Sequence, residues 1–366
     1  MSHNIRQIAQ QFQVSGQFID AAPYGNGHIN DTYAATYRHG EQTRCYIHQR
    51  INHHIFKQPT LVMENIQRIT EHLRQVLTAQ NAADVDRQTL TLIPTIDQTI
   101  YYHDQDGNIW RTYMLIDNAQ TYDVVESPEQ AYQVGRAFGL FQQQLVDLPG
   151  PRLHETIPDF HHTPKRFAAL VSAVENDVAN RAKLAQAEIE FAFQQEAMTR
   201  VLIELQQAGH LAERVTHNDT KINNVLLDNN TGQGLCVIDL DTVMPGLVLY
   251  DFGDMVRTAT CLAAEDEQDL AKVVMEMPLF EALTRGYLET AGDFLTQTET
   301  DYLAFSGKLI TFEIGARFLT DYLSGDTYFK IHHPDHNLDR CRTQFKLVQS
   351  IMAQEDEMNQ IVANLM

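Results

Sequence analysis

Between residues 211 and 241 two short apolar runs each end on an acidic residue. The first leads into His217-Asn218-Asp219-Thr220-Lys221-Ile222-Asn223-Asn224. Val225-Leu226-Leu227-Asp228 follows. Fifteen residues after Asn224, the second run closes as Cys236-Val237-Ile238-Asp239-Leu240-Asp241. Each run is short and apolar, which reads as a strand rather than a helix. The spacing therefore predicts a hairpin flanked by polar loops, with Asp219, Asn224 and Asp239 held where strands end.

Composition excludes several settings for this loop. The 366 residues carry 27 Lys+Arg against 48 Asp+Glu, a net charge of −21. Such a field repels nucleic-acid phosphates and anionic lipid surfaces, so neither is an expected partner. A phosphorylated small molecule is not excluded, because Mg²⁺ can bridge acidic side chains and a nucleotide. No apolar run of about 18 residues is present to span a bilayer. The opening residues lack a basic-then-apolar leader, so the expected location is the cytoplasm. Cys45, Cys236, Cys261 and Cys341 are scattered with no CxxC pair, which fits reduced thiols. The doublets His53-His54, His161-His162 and His332-His333 read as loop or surface residues.

Two regions differ in pattern. Residues 1–117 read as a small sheet with one main helix. Strands are expected over Thr32–Tyr37, Thr43–Ile51, Leu90–Ile93, Thr99–His103 and Trp110–Ile116, with turns at Arg38-His39-Gly40-Glu41 and Asp106-Gly107-Asn108. Leu61, Met63, Ile66, Ile69, Leu73 and Leu77 mark the helix. Residues 118–366 read as mainly helical. Ser127-Pro128-Glu129 opens one helix as cap, first residue and acidic first turn. Others are expected near 164–181, 187–207 (capped by Gly209), 254–263, 267–288, 299–323 and 338–357, interrupted by a β-rich block at 215–241.

Phosphoryl transfer accounts for the residue types of the central block. One Asp orients an acceptor hydroxyl and takes its proton, a role that fits Asp219. An Asn and a second Asp supply oxygens to Mg²⁺, which fits Asn224 and Asp239. His217 braces the loop, and Lys221 can reach the transferred phosphate. Asp251-Phe252-Gly253 spells a known metal motif, but it stands 27 residues after Asn224. Asp251 reads instead as an anchor that caps the next helix or holds the loop.

Most of the chain resembles the aminoglycoside phosphotransferase/choline kinase superfamily, and within it the N-acetylhexosamine 1-kinases. The resemblance rests on the central block, on residues 25–33 (GNGHINDTY), on Gln49-Arg50-Ile51-Asn52, on residues 238–246 and on residues 317–326 (RFLTDYLSGD). It implies an α+β, bilobal, protein-kinase-like fold with a small antiparallel sheet lobe and a larger helical lobe. It also implies ATP with Mg²⁺ as cofactors and a sugar phosphorylated at its anomeric hydroxyl. Gly25, Asn26 and Gly27 would cover the nucleotide phosphates, and the backbone at Tyr113 and Leu115 would receive adenine. Kinases place a phosphate-binding Lys on the strand where this chain has Gln49-Arg50: either Arg50 is the substitute, with Glu64 as its partner, or Arg50 faces solvent and Glu64 is an ordinary exposed helix residue, and which of Gln49 and Arg50 faces the phosphates is left open. His28, Asp241, Arg317 and Tyr328 would contact the sugar, although Glu313, four residues before Arg317, equally predicts a plain intrahelical ion pair. Two other readings stay open. One is the same chemistry on another sugar, choline, homoserine or an aminoglycoside, with Glu313 and Asp321 as candidate acids for a cationic acceptor. The other is a nucleotide-binding pseudokinase. The epimer and the oligomeric state are left open.

Overall fold

A computed structural model describes residues 3–25 and 29–366. The chain opens with the short helix Ile5–Ala9, then three antiparallel strands: β1 (Gln17–Pro23), β2 (Asp31–His39) and β3 (Gln42–Ile51). The long helix Pro59–Ala79 follows, with Pro59 at its start, where its missing N–H costs nothing. Strands β4 (Tyr102–His103) and β5 (Ile109–Met114) complete a five-stranded sheet of order β1-β2-β3-β5-β4. Residues 90–93 contribute a single bridge, Leu92 to Tyr113, rather than a strand.

Successive residues of a strand point to opposite faces, and this sets the chemistry of the sheet. On one face Tyr37, Tyr46 and Trp110 pack with Ile5, Ile8 and Phe12. On the other, Ile51, Ile109 and Tyr113 pack with Val62, Met63 and Ile66 of the long helix. That helix spends its apolar stripe on the sheet and its remaining face on the helical region.

The rest of the chain is mainly helical. Ser127 caps Pro128–Gln144, its Oγ accepting from Gln130 N at 3.3 Å. This helix lies close along Met277–Ala291. A methyl at Gly135 would run into Leu283 O, and one at Gly286 into Tyr132 O, so glycine permits the approach. Helices Leu303–Leu323 and His336–Leu365 pack together behind Val248–Ala259. Strand β6 (Ala119–Gln120) pairs with β8 (Val225–Asp228), which pairs with β9 (Gly234–Val237). Strand β7 (Arg214–Thr216) pairs with β10 (Met244–Gly246).

Several helices differ from expectation: the one near 164–181 ends at Asn176, and 299–323 is split at Tyr302 into Gln297–Asp301 and Leu303–Leu323. The stretch 187–207 is broken into Gln186–Gln194, a 3₁₀ turn and Val201–Gln207. The stretch 267–288 forms a helix only from Met277, because Pro278 cannot sit in a helix interior but suits a first turn. The helix expected at 254 begins at Val248, which places Asp251 inside its first turn. Among the described residues no helix is long and apolar enough to cross a membrane.

Candidate active site

The polar loop after β7 and the turn after β9 meet where β8 and β9 begin and end, as the hairpin reading required. Asn224 Nδ2 donates to Asp219 O at 2.8 Å and to Asp219 Oδ2 at 3.1 Å. With its amide nitrogen committed, the Asn224 side-chain oxygen has no hydrogen-bond partner among the described residues. Ile238 N donates to Asn224 O at 2.9 Å, tying the loop to the run that ends at Asp239. Asp239 takes the left-handed conformation at φ 59°, so the chain turns sharply there.

His217 braces the loop. Ile238 O can only accept, so Nε2–H of His217 donates to it at 2.9 Å. Nδ1 then accepts from Asp219 N at 3.3 Å. The ring is edge-on to Phe138 and Phe141.

Asp251 is the loop's anchor. Its carboxylate is fully buried and accepts from His217 N at 2.9 Å, Asn218 N at 2.7 Å and Gln142 Nε2 at 2.7 Å. Its carbonyl accepts from Thr220 Oγ1 at 2.6 Å. Tyr287 OH donates to Gln142 Oε1 at 2.6 Å, so the close helix pair holds the anchor from behind. Burial drives the Asp251 carboxyl upward, against the pull of the His217 and Asn218 backbone N–H groups and of Gln142. Of the two anchoring roles expected, holding the loop is the one observed.

Two neighbouring carboxylates experience different fields. Burial raises Asp219, but the ammonium of Lys221, 3.2 Å from Asp219 Oδ2, outweighs it. The Asp219 carboxyl is held below its ordinary range. Asp239 is open to solvent at its own surface yet lies deep in the cleft. Loss of surrounding water, then the charges of Asp241 and Asp219, push its carboxyl up to about 6. A carboxylate crowded by others in this way gains most from a bound cation.

Among the described residues no three His, Cys, Asp or Glu side chains converge on one metal position. The available donors are the Asn224 carbonyl and the Asp239 carboxylate. That sparse, all-oxygen set fits Mg²⁺, which keeps waters and takes substrate phosphate oxygens for the rest of its shell.

Several expected contacts are placed elsewhere. Arg50 lies on the sheet face away from the long helix. It pairs with Asp31 at 2.5 Å and donates to Asn108 Oδ1 at 3.3 Å, so it does not face the cleft. Gln49, one residue earlier, has the opposite face and meets Arg111 of β5. Glu64 is 3.0 Å from His154 of the helical region and has no strand cation as partner. Asp241 is not free for a substrate: Arg111 Nη1 takes one oxygen and Asn30 Nδ2 the other, at 2.6 Å. Leu115 N donates to Cys45 O at 3.1 Å, which removes that N–H as a donor to a base. Tyr113 is buried in the core below that segment. Gly25 sits at φ 76°, the turn conformation its sequence suggested, while Asn26, Gly27 and His28 lie outside the described residues.

On the helical side Arg317 does not pair with Glu313. Its guanidinium stands 5.3 Å from the Phe160 ring, 5.8 Å from Tyr328 and 5.7 Å from Phe329. Glu313 is buried and engaged by His161 Nδ1 at 2.8 Å and Thr163 Oγ1 at 2.6 Å. His161 Nε2 donates to Asn218 O at 3.1 Å. His161 is therefore a buried brace of the loop and not a surface residue. Burial lowers it, but the Glu313 charge dominates and holds it above its ordinary value, as a cation donating from both nitrogens. No local signal marked His161 or Arg111, because both partners of each are distant in sequence.

Comparison with known proteins places this site in a family. Residues 20–282 match the phosphotransferase enzyme family. The fold is similar to an aminoglycoside phosphotransferase from Alicyclobacillus acidocaldarius (TM-score 0.64, 13% identity, 100% of this chain and 98% of that one). It is also similar to a choline kinase from Cryptosporidium parvum Iowa II (TM-score 0.54, 13% identity, 98% of each chain). A third likeness is a spectinomycin phosphotransferase solved with ADP and spectinomycin (TM-score 0.53, 13% identity, 93% of this chain and 92% of that one). At these identities the likeness shows the protein-kinase-like fold.

Proposed function

The chain belongs to the phosphotransferase enzyme family, and from that premise we propose that it transfers the γ-phosphoryl group of ATP to the anomeric hydroxyl of an N-acetylhexosamine. The observation that carries the transfer step is the meeting of Asp219, Lys221, Asn224 and Asp239 at one end of the β8–β9 hairpin. Asp219 is kept ionised, so it can orient an acceptor hydroxyl and accept its proton. An anomeric hydroxyl is more acidic than an ordinary alcohol, so positioning supplies most of the help. Lys221 both holds Asp219 and offers positive charge to the group in flight. Asn224 and Asp239 would hold Mg²⁺, which neutralises phosphate charge when bound. Residues 1–117 would form the nucleotide lobe and residues 118–366 the catalytic and acceptor lobe.

The acceptor assignment is supported by the wall around Arg317. Arg317 makes no ion pair among the described residues. Arg166 lies close enough that the Arg317 charge, after burial itself, lowers its basicity. Two guanidinium groups and the rings of Phe160 and Tyr328 suit a polar, uncharged sugar with an amide carbonyl. A cationic acceptor would need free acids there. Glu313 is consumed by His161 and Thr163, and Asp321 by the backbone N–H groups of Thr327, Tyr328 and Phe329 and by Asn337. This weighs against choline and aminoglycosides.

The test is ADP release with Mg-ATP over N-acetylglucosamine, N-acetylgalactosamine, glucose, galactose, choline, homoserine and kanamycin. Turnover is expected only with the N-acetyl sugars, and product NMR should find the phosphate at the anomeric carbon. Asp219→Asn should lower kcat by about 10²–10⁴ without unfolding the protein. Nucleotide binding with no turnover on any acceptor would overturn this reading.

A further inference from the structure

Strand β3 carries Gln49 and no lysine, and the residue paired with Gln49 on β5 is Arg111. Arg111 of β5 is 1% exposed. Its Nε and Nη2 donate to Gln49 Oε1 at 2.9 and 2.6 Å, and its Nη1 pairs with Asp241. Gln49 Nε2 continues to Thr32 Oγ1 of β2 at 2.9 Å. Asp241 is two residues past Asp239, and its second oxygen accepts from Asn30 Nδ2. Asn30 Oδ1 accepts from Asn52 N at 2.9 Å, and Asn52 Nδ2 donates to Ile29 O at 3.0 Å. The Asp241 carbonyl is held by Thr156 Oγ1 at 3.0 Å. One buried pair thus joins three strands of the sheet, the end of the β1–β2 connection and the turn that carries Asp239.

We propose that the Arg111–Asp241 pair sets the register between the sheet and the helical region, and that Arg111 is a positioning residue for Asp239 and for Asn30 at the entrance to β2. The proposal rests on the phosphoryl-transfer reading above. Its physical logic is geometric. A planar guanidinium can satisfy Gln49 and Asp241 at once only if sheet and turn hold one relative position. Among the described residues no side chain hydrogen-bonds Asp239; the turn it opens is held at Thr242 by His217 and Asn218 and at Asp241 by Arg111, Asn30 and Thr156, and only the Asp241 grip comes from the sheet. Groups that orient a metal ligand without touching the metal typically alter metal affinity or activity by about 10–100-fold when removed.

Removing Arg111 alone would strand a buried carboxylate and risk unfolding. The informative variant is therefore Arg111→Met with Asp241→Leu, and Arg111→Lys is the second. Lys can pair with Asp241 but cannot also span to Gln49. Binding of a fluorescent ATP analogue is titrated with Mg²⁺, beside thermal melting and turnover. The expected result for the double variant is a near-parental melting temperature. The Mg²⁺ concentration for half-maximal nucleotide binding should rise about tenfold, and kcat should fall about tenfold, with acceptor KM unchanged. Arg111→Lys should show the same shifts at a smaller size. Lowered melting with an unchanged Mg²⁺ midpoint, in either variant, would make the pair a packing device and overturn the proposal. A parental protein whose nucleotide binding ignores Mg²⁺ would instead remove the phosphoryl-transfer reading, and the proposal with it, before any substitution is made.

Discussion

The two sides of the cleft hold their functional groups in opposite ways. On the helical side the loop 217–224 is fastened from behind by its own region: Asp251, Gln142, Tyr287, His161 and Glu313 are all buried in it. On the sheet side the corresponding groups are fastened across the cleft. Arg111 and Asn30 reach Asp241, Asn65 Nδ2 donates to Val243 O at 3.1 Å, and Glu64 meets His154. The loop 217–224 keeps its geometry whatever the sheet does. The sheet side acquires its geometry only when both regions are in register. A kinase needs both properties, because the proton acceptor must be rigid while the nucleotide must enter and leave.

The strongest way to break this contrast is to loosen the rigid side. Asp251→Ala removes the acceptor for the His217 and Asn218 N–H groups and for Gln142, leaving buried donors unpaired. A loss of about 3 kcal/mol in urea unfolding is expected. A fall in kcat of about a hundredfold should accompany it, since small misplacements of a catalytic group cost that much. Nucleotide affinity should hardly move. If kcat survived while nucleotide binding collapsed, the anchor would be serving the sheet side and the contrast would be wrong.

That anchor also shows what the sequence made legible. The spacing of Asp219, Asn224 and Asp239 is local, and a hairpin can close it in only a few ways, so the site's centre was readable. Asp251 was readable too, because its distance from Asn224 argued against a metal role. The cap at Ser127 is equally local. Arg111 and His161 were not readable, because each is defined by partners 57 to 152 residues away. In a short strand, or in a histidine doublet beside a loop, neither leaves a periodic trace. The over-extended helix at 267–288 failed for a different reason: Pro278 was counted as a member of the pattern rather than as its start.

Acidity sharpens the contrast at smaller size. Asp239 is pushed up to about 6, by loss of water and by Asp241 and Asp219, so without a cation its protonated form is the one folding favours. Its contribution to stability is then present below the ordinary carboxylate range and is lost as pH rises through about 6. A cation at Asp239 must displace that proton. Stabilisation by Mg-nucleotide should therefore grow with pH, by at most about tenfold in affinity per unit below 6, and level off above 7. The His161–Glu313 pair behaves differently. Glu313 is held below its ordinary range despite burial, mainly by His161, so its support is lost only as acid protonates it. His161 is raised, so its support is lost as pH rises through its elevated value. Melting temperatures recorded from pH 5 to 8, with and without Mg-nucleotide, separate the two behaviours. A metal-induced shift that is flat across pH 5 to 7 would remove Asp239 from the metal site.

The finest test uses two adjacent residues of one strand. Arg50 and Gln49 differ by one position and therefore by a face of the sheet. Arg50 spends its charge on Asp31, a partly exposed pair worth about 0.5 kcal/mol, so Arg50→Gln should leave nucleotide KM within about twofold and barely move the melting temperature. Gln49→Ala takes away the acceptor for two Arg111 donors, so it should raise nucleotide KM several-fold more than the Arg50 change. The charged residue is thus expected to matter less than its neutral neighbour, the reverse of what charge alone would suggest. Should Arg50→Gln raise nucleotide KM and Gln49→Ala leave it unmoved, the faces would be exchanged and the sheet side would hold its phosphates directly, without help from across the cleft.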